Sequence, residues 1–172
     1  MITIRHDDYD FRLSPQQYMD IHKEFQKAGL TETIALQFTQ WGRLCNVPPE
    51  IVQYINSEPG YEIALHGWGH FAYNEMEFDF IVRDLQAAMF SCMKYFGVYP
   101  KVWYTPWNCM SNAIERAVAY VGMEVSNESN DIWRFIREAE VGKFSGKTMY
   151  FHGWKNDEME LFPRMLELAK QL

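Results

Sequence analysis

Short β-prone runs alternate with helical patterns along the chain, and this alternation constrains the fold more than any other feature. The runs with strand character are predicted at residues 2–6, 33–38, 62–65, 101–104, 123–126 and 148–151. Strands that are joined by helices form right-handed crossovers and a largely parallel sheet. We therefore expect one α/β domain over residues 1–172, built as an open sheet or an incomplete barrel.

Capping residues mark where several helices begin and end. Ser14-Pro15-Gln16-Gln17 is typical of a helix start, with Ser as the cap and Pro at the first position, and Gly29 is typical of an end. The last helix is predicted to begin near Phe162, because Pro163 suits the first turn of a helix. The acidic residues 157–160 are then expected to form its solvated entrance.

Composition excludes several classes of partner. The chain carries 16 Lys and Arg against 23 Asp and Glu, a net charge of −7, and it has no basic run for binding nucleic acid. Its three cysteines lack metal-type spacing and are typical of reduced thiols. Because no run reads as a membrane span or a signal peptide, we expect a cytoplasmic protein without a membrane or nucleic-acid partner.

Polar residues collect where the predicted strands end. Asp7 and Asp8 follow the first strand, and His66 and His70 follow the third. His152 follows the sixth strand. In parallel α/β folds the carboxyl ends of the strands form the edge that holds active sites. We therefore expect these side chains to share one site.

The two histidines of His66-Gly-Trp-Gly-His70 can reach one ion from a single tight turn, since the two glycines can adopt the backbone conformations that such a turn needs. A carboxylate from Asp7 or Asp8 would complete a ligand set that leaves positions open for water and substrate. The other aspartate could take a proton from water beside the ion. The alternatives are solvated loop aspartates and histidines that serve only packing.

Further residues at this edge are candidates for catalysis and substrate binding. His152 ends an apolar strand and could protonate a leaving amine, although a packed core histidine is the commoner explanation for such a residue. Trp68, Trp107 and Trp154 lie in or beside these loops, where rings either stack on sugar faces or close the end of the sheet. Strand parity directs Tyr104 into the site.

Four segments in order resemble the motifs of the polysaccharide deacetylase family, the NodB-homology domain of carbohydrate esterase family four. The family's Thr-Phe-Asp-Asp-Gly motif is similar to Arg5-His6-Asp7-Asp8-Tyr9. Its His-Ser/Thr-x-x-His motif is matched by His66-Gly67-Trp68-Gly69-His70. Its Arg-x-x-Pro-aromatic motif is similar to Tyr104-Thr105-Pro106-Trp107, and its apolar strand ending in His is similar to Met149-Tyr150-Phe151-His152.

This resemblance implies a distorted, incomplete (β/α) barrel of about six mostly parallel strands that binds one divalent metal. Zinc is the usual metal of the family, and cobalt or nickel often serves instead. The family's metal ligands correspond to Asp8, His66 and His70. Its general base corresponds to Asp7 and its general acid to His152.

The resemblance also implies substrate contacts and an activity. The main-chain N–H of Trp107 would hold the oxyanion, and Trp68, Tyr104, Pro106 and Trp154 would line the substrate site. The implied reaction is hydrolysis that removes an acyl group, expected to be N-acetyl, from a sugar or glycan precursor.

Three departures separate the chain from the family pattern. The arginine that steadies the catalytic aspartate is absent from its motif, where Tyr104 stands nearest. Tyr9 replaces the glycine after the acid pair. The Asp-x-x-Asp-Trp motif, whose carboxylate orients the catalytic histidine, is reduced to Asp131-Ile132-Trp133, with Glu128 as a candidate substitute.

These departures leave other functions open. One alternative is a carbohydrate-binding pseudoenzyme without turnover, and another is a hydrolase of a non-sugar amide. Two histidines and a carboxylate also suit an iron-dependent oxygenase, and a cluster without metal would fit a binding module. Metal analysis and acetate release from N-acetylated compounds distinguish these classes.

Overall fold

The computed structural model describes residues 2–40, 42–128 and 130–172. The strands in chain order are β1 (Thr3–Tyr9), β2 (Glu32–Gln37), β3 (Thr39–Gln40), β4 (Arg43–Leu44), β5 (Tyr61–Gly67), β6 (Val102–Tyr104), β7 (Glu124–Ser126) and β8 (Thr148–Phe151). Six of them form a parallel sheet in the order β7-β6-β5-β2-β1-β8, and β3 and β4 form a separate antiparallel hairpin. The sheet curls into a half-barrel, which confirms the predicted incomplete (β/α) barrel.

Helices connect and cover the strands. Those described are α1 (Pro15–Ala28), α2 (Pro49–Ser57), α3 (Phe78–Phe96), α4 (Asn112–Val121), α5 (Ile132–Ala139) and α6 (Asn156–Ala169). The predicted start of α1 is confirmed, because Ser14 Oγ accepts the main-chain N–H of Gln17 at 3.3 Å. Gly29 ends α1 with a left-handed φ of 69°. Among the described residues, no helix is both long enough and apolar enough to cross a bilayer.

The predicted start of the last helix is wrong. Helix α6 begins at Asn156, not near Phe162, and Pro163 lies in its interior on an exposed position. A proline there leaves one carbonyl without its helical partner, but solvent can reach an exposed face. Residues 157–160 therefore belong to the first turns, where acidic groups suit the positive end of the helix. Glu158 is buried, so the prediction of a solvated entrance does not hold for it.

Two elements have no counterpart in the prediction, the hairpin β3–β4 and helix α5. The carboxylate of Asp131 caps α5 by accepting the main-chain N–H of Arg134 at 2.7 Å. The helix buries Ile132 and Phe135 in the cluster that also holds β8 and α6. Its apolar residues follow helical spacing, but the helix has only eight residues, which is shorter than the window over which a helical period is recognised in a sequence.

The two faces of the sheet carry side chains of different size. Alternate residues of a strand face opposite sides, and Ile34 and Leu36 of β2 join the core cluster that α2, α3 and α4 complete. On the other face Ala35 packs with Ala64 and Tyr104. Large apolar residues thus fill the outer, helix-covered face, and the inner face combines small residues of β2 and β5 with the ring of Tyr104.

A buried cluster of ionisable side chains connects β1, β2 and α1. Glu32 Oε1 lies 2.7 Å from His6 Nδ1, and Glu32 Oε2 lies 3.0 Å from His22 Nδ1. His22 Nε2 donates to the carbonyl of Pro59 at 3.0 Å, and His6 Nε2 accepts the N–H of Gly153 at 3.2 Å. Burial raises the pKa of Glu32, but the two histidines lower it by more, and the net pKa lies below its usual value.

Candidate metal centre and active site

The residues predicted at the strand ends line one cleft of about 250 Å³. Asp7 and Asp8 lie in the last part of β1. His66 lies near the end of β5, and His70 follows it in the next loop. His152 follows β8. The parallel topology brings these distant segments to one edge of the sheet, as the sequence predicted.

A break in the regular geometry of β1 brings both aspartates to the cleft. The register with β2 shifts between His6 and Tyr9, and Asp8 has a left-handed φ of 53°. Adjacent side chains of a regular strand face opposite sides. The irregular backbone instead lets Asp7 and Asp8 line the same cleft. Backbone strain of this kind clusters at functional sites.

Three side chains bring candidate metal-ligand atoms together. Asp8 Oδ1 lies 3.5 Å from His66 Nε2 and 3.3 Å from His70 Nε2. The three residues offer ligand atoms that all lie within 4.8 Å of one another. Atoms that sit about 2.0–2.1 Å from one tetrahedral ion are separated by about 3.3–3.4 Å. The observed spacing therefore fits a single divalent ion.

The hydrogen bonding of His66 supports the same interpretation. His66 Nδ1 lies 2.8 Å from the main-chain carbonyl oxygen of Tyr104, which can only accept, so Nδ1 carries the proton. The neutral ring then presents the lone pair of Nε2. The facing atom, Asp8 Oδ1, is buried and has no hydrogen-bond partner. Two acceptors that face each other across 3.5 Å suit a cation between them.

The electrostatics of the cluster also favour a positive charge. Burial raises the pKa of Asp8, but hydrogen bonding and charge from His66 and His70 lower it well below the usual range. Burial lowers the pKa of His66, whereas Asp7 and Asp8 raise it by more. The two shifts have one cause, the attraction between the Asp8 carboxylate and a positive charge beside it, which either a proton on the histidines or a bound metal ion supplies.

Asp84 of α3 holds the turn that carries the two histidines. Asp84 Oδ2 accepts the main-chain N–H of Trp68 at 2.8 Å and lies 2.5 Å from the hydroxyl oxygen of Tyr73. Burial raises the pKa of Asp84 to about 6, despite hydrogen bonds that lower it. Gly67 has a φ of 114°, and a Cβ there would meet the Tyr73 hydroxyl at 2.4 Å. This turn therefore requires glycine at that position.

An arginine contacts Asp7 although the third motif lacks one. Arg5 of β1 donates from Nη2 to Asp7 Oδ2 at 2.7 Å, and both side chains are buried. The third motif lacks its arginine, as the sequence indicated, and the arginine that contacts this aspartate comes from β1 instead. A spacing of two along a strand places side chains on one face, and this spacing was the signal that the sequence offered.

The carboxylate beside His152 is Glu158, which the sequence assigned to a solvated helix entrance. Glu158 Oε1 lies 3.0 Å from His152 Nδ1, and Oε2 accepts the main-chain N–H of His152 at 2.6 Å. The two predicted carboxylates bond elsewhere, since Asp131 caps α5 and Glu128 accepts the main-chain N–H of Thr148. The early start of α6 is the physical reason, because its first turn carries Glu158 to the histidine.

Two tryptophans form the rim of the cleft. Trp107 is 72% exposed, so its ring is available to a ligand, whereas Trp154 is 36% exposed and the guanidinium carbon of Arg12 lies 4.4 Å from its ring centre. Trp154 Nε1 donates to Asp8 Oδ2 at 3.3 Å, and the Trp107 ring lies 4.9 Å from the ring of His70. Trp107 and the next residue, Asn108, both have left-handed φ angles, 59° and 49°. Consecutive left-handed residues other than glycine are uncommon and strained.

The other three predicted substrate contacts are not among the described residues that line this cleft. The Trp68 ring packs 5.9 Å from the ring of Phe38, against the main core. Pro106 is buried. Strand parity predicted that Tyr104 enters the site, but Tyr104 packs with Ala35 and Ala64, and its ring covers Arg5 with 4.3 Å between the guanidinium carbon and the ring centre. Trp68 therefore packs in the core and Tyr104 packs against the buried arginine, so neither ring faces a ligand in the cleft.

A second lobe of about 480 Å³ adjoins the cleft and shares Asp8, His70, Trp107 and Trp154 with it. Phe71 adds an aromatic wall to this lobe. The remaining described side chains and glycine that line it are Arg12, Gln37, Thr39, Gln40 and Gly42. A ligand larger than an acyl group can thus extend from the candidate metal centre over aromatic surface.

Neither a family model nor a curated protein matches this sequence. Solved structures do match. The chain is similar to a family 4 carbohydrate esterase from Streptomyces lividans in complex with acetate, with a TM-score of 0.77, 14% identity and coverage of 99% of this chain and 88% of the other. It is also similar to the peptidoglycan deacetylase PdaC from Bacillus subtilis, with a TM-score of 0.76, 14% identity and coverage of 99% and 83%.

A third similar structure is a family 4 pseudoenzyme from Bacillus anthracis, with a TM-score of 0.74, 14% identity and coverage of 99% of this chain and 61% of the other. At these identities the likeness establishes a common fold. The chain therefore has the fold of the family 4 carbohydrate esterases.

Proposed function

We propose that this chain is a metal-dependent hydrolase that removes an acyl group, N-acetyl in the first instance, from a sugar or glycan precursor. The observation that carries the proposal is the convergence of Asp8 Oδ1, His66 Nε2 and His70 Nε2 in one cleft with a free carboxylate oxygen of Asp7. Two further groups, His152 and Trp107, line the same cleft. A ligand set, a base and an acid around one space are the parts that hydrolysis of an amide requires.

Asp8, His66 and His70 would hold the ion. When bound, a divalent ion supplies Lewis-acid polarisation of the acyl carbonyl and acidifies water. Two imidazoles, each with a nitrogen 3.3–3.5 Å from one carboxylate oxygen, favour zinc, and cobalt or nickel suit the same donors.

Asp7 acts as the general base in this proposal. Its Oδ2 is engaged by Arg5, and its Oδ1 is buried without a hydrogen-bond partner. A carboxylate oxygen in this state can take a proton from water that enters the cleft. The main-chain N–H of Trp107, in the strained turn after β6, would donate to the oxygen of the tetrahedral species.

His152 acts as the general acid. Its Nδ1 faces Glu158, so the ring can deliver the proton on Nε2 to the departing nitrogen while the carboxylate stabilises the imidazolium. Burial raises the pKa of Glu158, but contacts with His152 and Lys155 lower it by more, which keeps this partner ionised. The arrangement supports proton transfer in the direction that amide cleavage needs.

The exposed ring of Trp107, with Trp154 beside it at the rim of the cleft, supports a sugar as the rest of the substrate. The second lobe beside them has room for such a ring. The similar structures bear names of carbohydrate esterases and peptidoglycan deacetylases, and one of them holds acetate. These observations favour an N-acetylated sugar over a non-sugar amide.

The test combines metal analysis with acetate release. Purified protein is expected to contain about one equivalent of metal, to lose it in His66→Ala, and to release acetate from at least one compound in a panel of N-acetylated sugars. His70→Ala serves as a second ligand deletion with the same expected loss. Metal and sugar binding without acetate release would identify a pseudoenzyme. Release from simple amides alone would identify a hydrolase of non-sugar substrates.

A further inference from the structure

Arg5 is fully buried on β1, where a charged side chain requires an opposite charge. Its Nη2 donates to Asp7 Oδ2 at 2.7 Å, and a longer contact of 3.5 Å reaches Asn108 Oδ1. The side chains of Arg5 and Asp7 have relative exposures of 0% and 5%. The pair is therefore shielded from the screening that weakens ion pairs at the surface.

Two tyrosine rings restrict where the guanidinium of Arg5 can lie. Its carbon is 4.3 Å from the ring centre of Tyr104 and 5.1 Å from that of Tyr150. Aromatic rings attract a guanidinium and pack against its planar face. Tyr104 occupies the motif position nearest to the absent arginine, and its ring contacts the arginine of another strand instead.

This contact determines which oxygen of Asp7 is free. Oδ2 accepts from Arg5, whereas Oδ1 is buried and has no partner. A carboxylate that is fixed through one oxygen cannot rotate to exchange the two. Asp7 therefore presents a single defined acceptor next to the candidate metal ligands.

We propose that Arg5 is the positioning residue for Asp7 and that Tyr104 and Tyr150 hold it in place. The proposal rests on the proposed function, in which Asp7 takes the proton from water. Arg5 would act through Asp7 and not on the substrate, so its loss affects the rate of the chemical step more than the binding of substrate.

The first experiment is chemical rescue. Arg5→Ala is expected to lower kcat by on the order of 10²-fold with KM changed by less than about threefold, because a misplaced group costs rate and not affinity. Metal content stays near that of the unchanged protein. Guanidinium at millimolar concentration is expected to enter the vacated space and to raise the kcat of Arg5→Ala at least tenfold. Urea, which has a similar shape and no charge, is expected to leave that kcat unchanged. Arg5→Lys, which keeps a charged donor, retains intermediate activity.

Wild-type kcat in Arg5→Ala, or equal rescue by guanidinium and urea, would overturn the assignment. If Arg5→Ala does not fold, Arg5→Lys provides the same comparison of kcat and KM. Arg134→Ala removes an exposed arginine on α5 and is the matched control with unchanged kcat.

A second experiment does not depend on turnover. Unfolding by urea is measured for Arg5→Met, Asp7→Asn and the double variant. The double variant is expected to lose less free energy of unfolding than the two single variants lose in total, because each single change leaves one buried group unpaired. If the losses simply add, the pairing is overturned. If coupling is present but the unchanged protein hydrolyses nothing, the proposed function fails and the structural part of the inference stands.

Discussion

At the scale of single residues, the polar groups of the cleft share one pattern, in which one atom is bonded to the protein and another is left free. Asp7 uses Oδ2 for Arg5, and His152 uses Nδ1 for Glu158. His66 uses Nδ1 for a main-chain carbonyl. The remaining atoms, Oδ1 and the two Nε2, are those that proton transfer and metal binding require. Each bond that orients one of these groups is therefore a separate target for mutation.

Asp7→Asn tests the base. An amide keeps the shape of the carboxylate but cannot take up a proton, so kcat is expected to fall roughly 10²–10⁴-fold. Because Asp7 is not among the three ligand residues, metal content remains at the wild-type level. Acetate release and metal analysis on the same preparation measure both. Asp20→Asn, on the exposed face of α1, is the control. Full activity in Asp7→Asn would show that another group takes the proton.

Glu158→Gln tests the partner of His152. The neutral amide no longer stabilises the imidazolium, and a fall in kcat of roughly 10–100-fold is expected, as for other partners of catalytic or ligating histidines. The neighbouring exposed carboxylate is removed in Asp157→Asn, which leaves the rate unchanged. Equal rates for the two variants would remove Glu158 from the mechanism.

At the scale of elements, the turn after β5 depends on helix α3. Asp84 of α3 accepts a main-chain N–H of the turn, and Tyr73 packs its hydroxyl against Gly67. The metal-ligand turn thus has its geometry set by a helix that contributes no ligand. The spacing of the two histidines and two glycines can be read from this segment of the sequence alone. The shape of the turn depends on Asp84 and Tyr73, which lie outside the segment.

Gly67→Ala tests this dependence. The new Cβ would lie 2.4 Å from the Tyr73 hydroxyl and 2.6 Å from the Gly69 carbonyl, at a φ of 114°. We expect a loss of about 1–3 kcal/mol in the free energy of unfolding, together with weaker metal binding. Gly142→Ala is the control, since Gly142 has a φ of 65° but nothing within 4 Å of the added carbon. Urea unfolding and metal titration compare the two, and equal losses would mean that the clash plays no part.

At the scale of the whole molecule, two long-range polar contacts connect segments that lie far apart in the chain. The candidate ligands come from β1 and from β5 with the loop after it, and β2 separates these two strands in the sheet. The cluster of His6, Glu32 and His22 joins β1, β2 and α1 within the core. Loss of either contact is therefore expected to lower the free energy of global unfolding.

Metal removal tests the first of these contacts. A ligand that binds only the folded state stabilises it by RT ln(1 + [L]/Kd), about 2.7 kcal/mol when the free metal is 100 times Kd. A chelator is therefore expected to lower the Tm, and added zinc to restore it. His70→Ala should show no further decrease with chelator, which is the control. An unchanged Tm in wild-type protein would mean that no metal is bound at this site.

Glu32→Gln tests the second contact at different pH values. At pH 7 the change leaves two buried histidines without their carboxylate, and a loss of about 3 kcal/mol is expected. The pKa of Glu32 is lowered by folding from its ordinary value of 4.5, so its stabilisation is present above that pH and is lost as pH falls through the folded value. The gap between wild type and variant, measured by urea unfolding, should narrow at acid pH. A gap that widens there would contradict this sign; Glu24→Gln, on the surface, is the control.

The sequence by itself determined the features that depend on local pattern. Alternating periodicities predicted the parallel α/β sheet, and the capping residues around Ser14 predicted the first helix. The positions of Asp8, His66 and His70 at strand ends predicted a common site, since the carboxyl ends of parallel strands share one edge. None of these conclusions requires knowledge of which residues touch across the fold.

Tertiary structure alone decided which partner each of these groups has. The pairing of Glu158 with His152 depends on where α6 begins, and a proline in that helix concealed its start. The approach of Tyr104 to Arg5 depends on the curl of the half-barrel, which brings inner-face residues of different strands together. Such contacts are set by global geometry, and no spacing in the sequence encodes them.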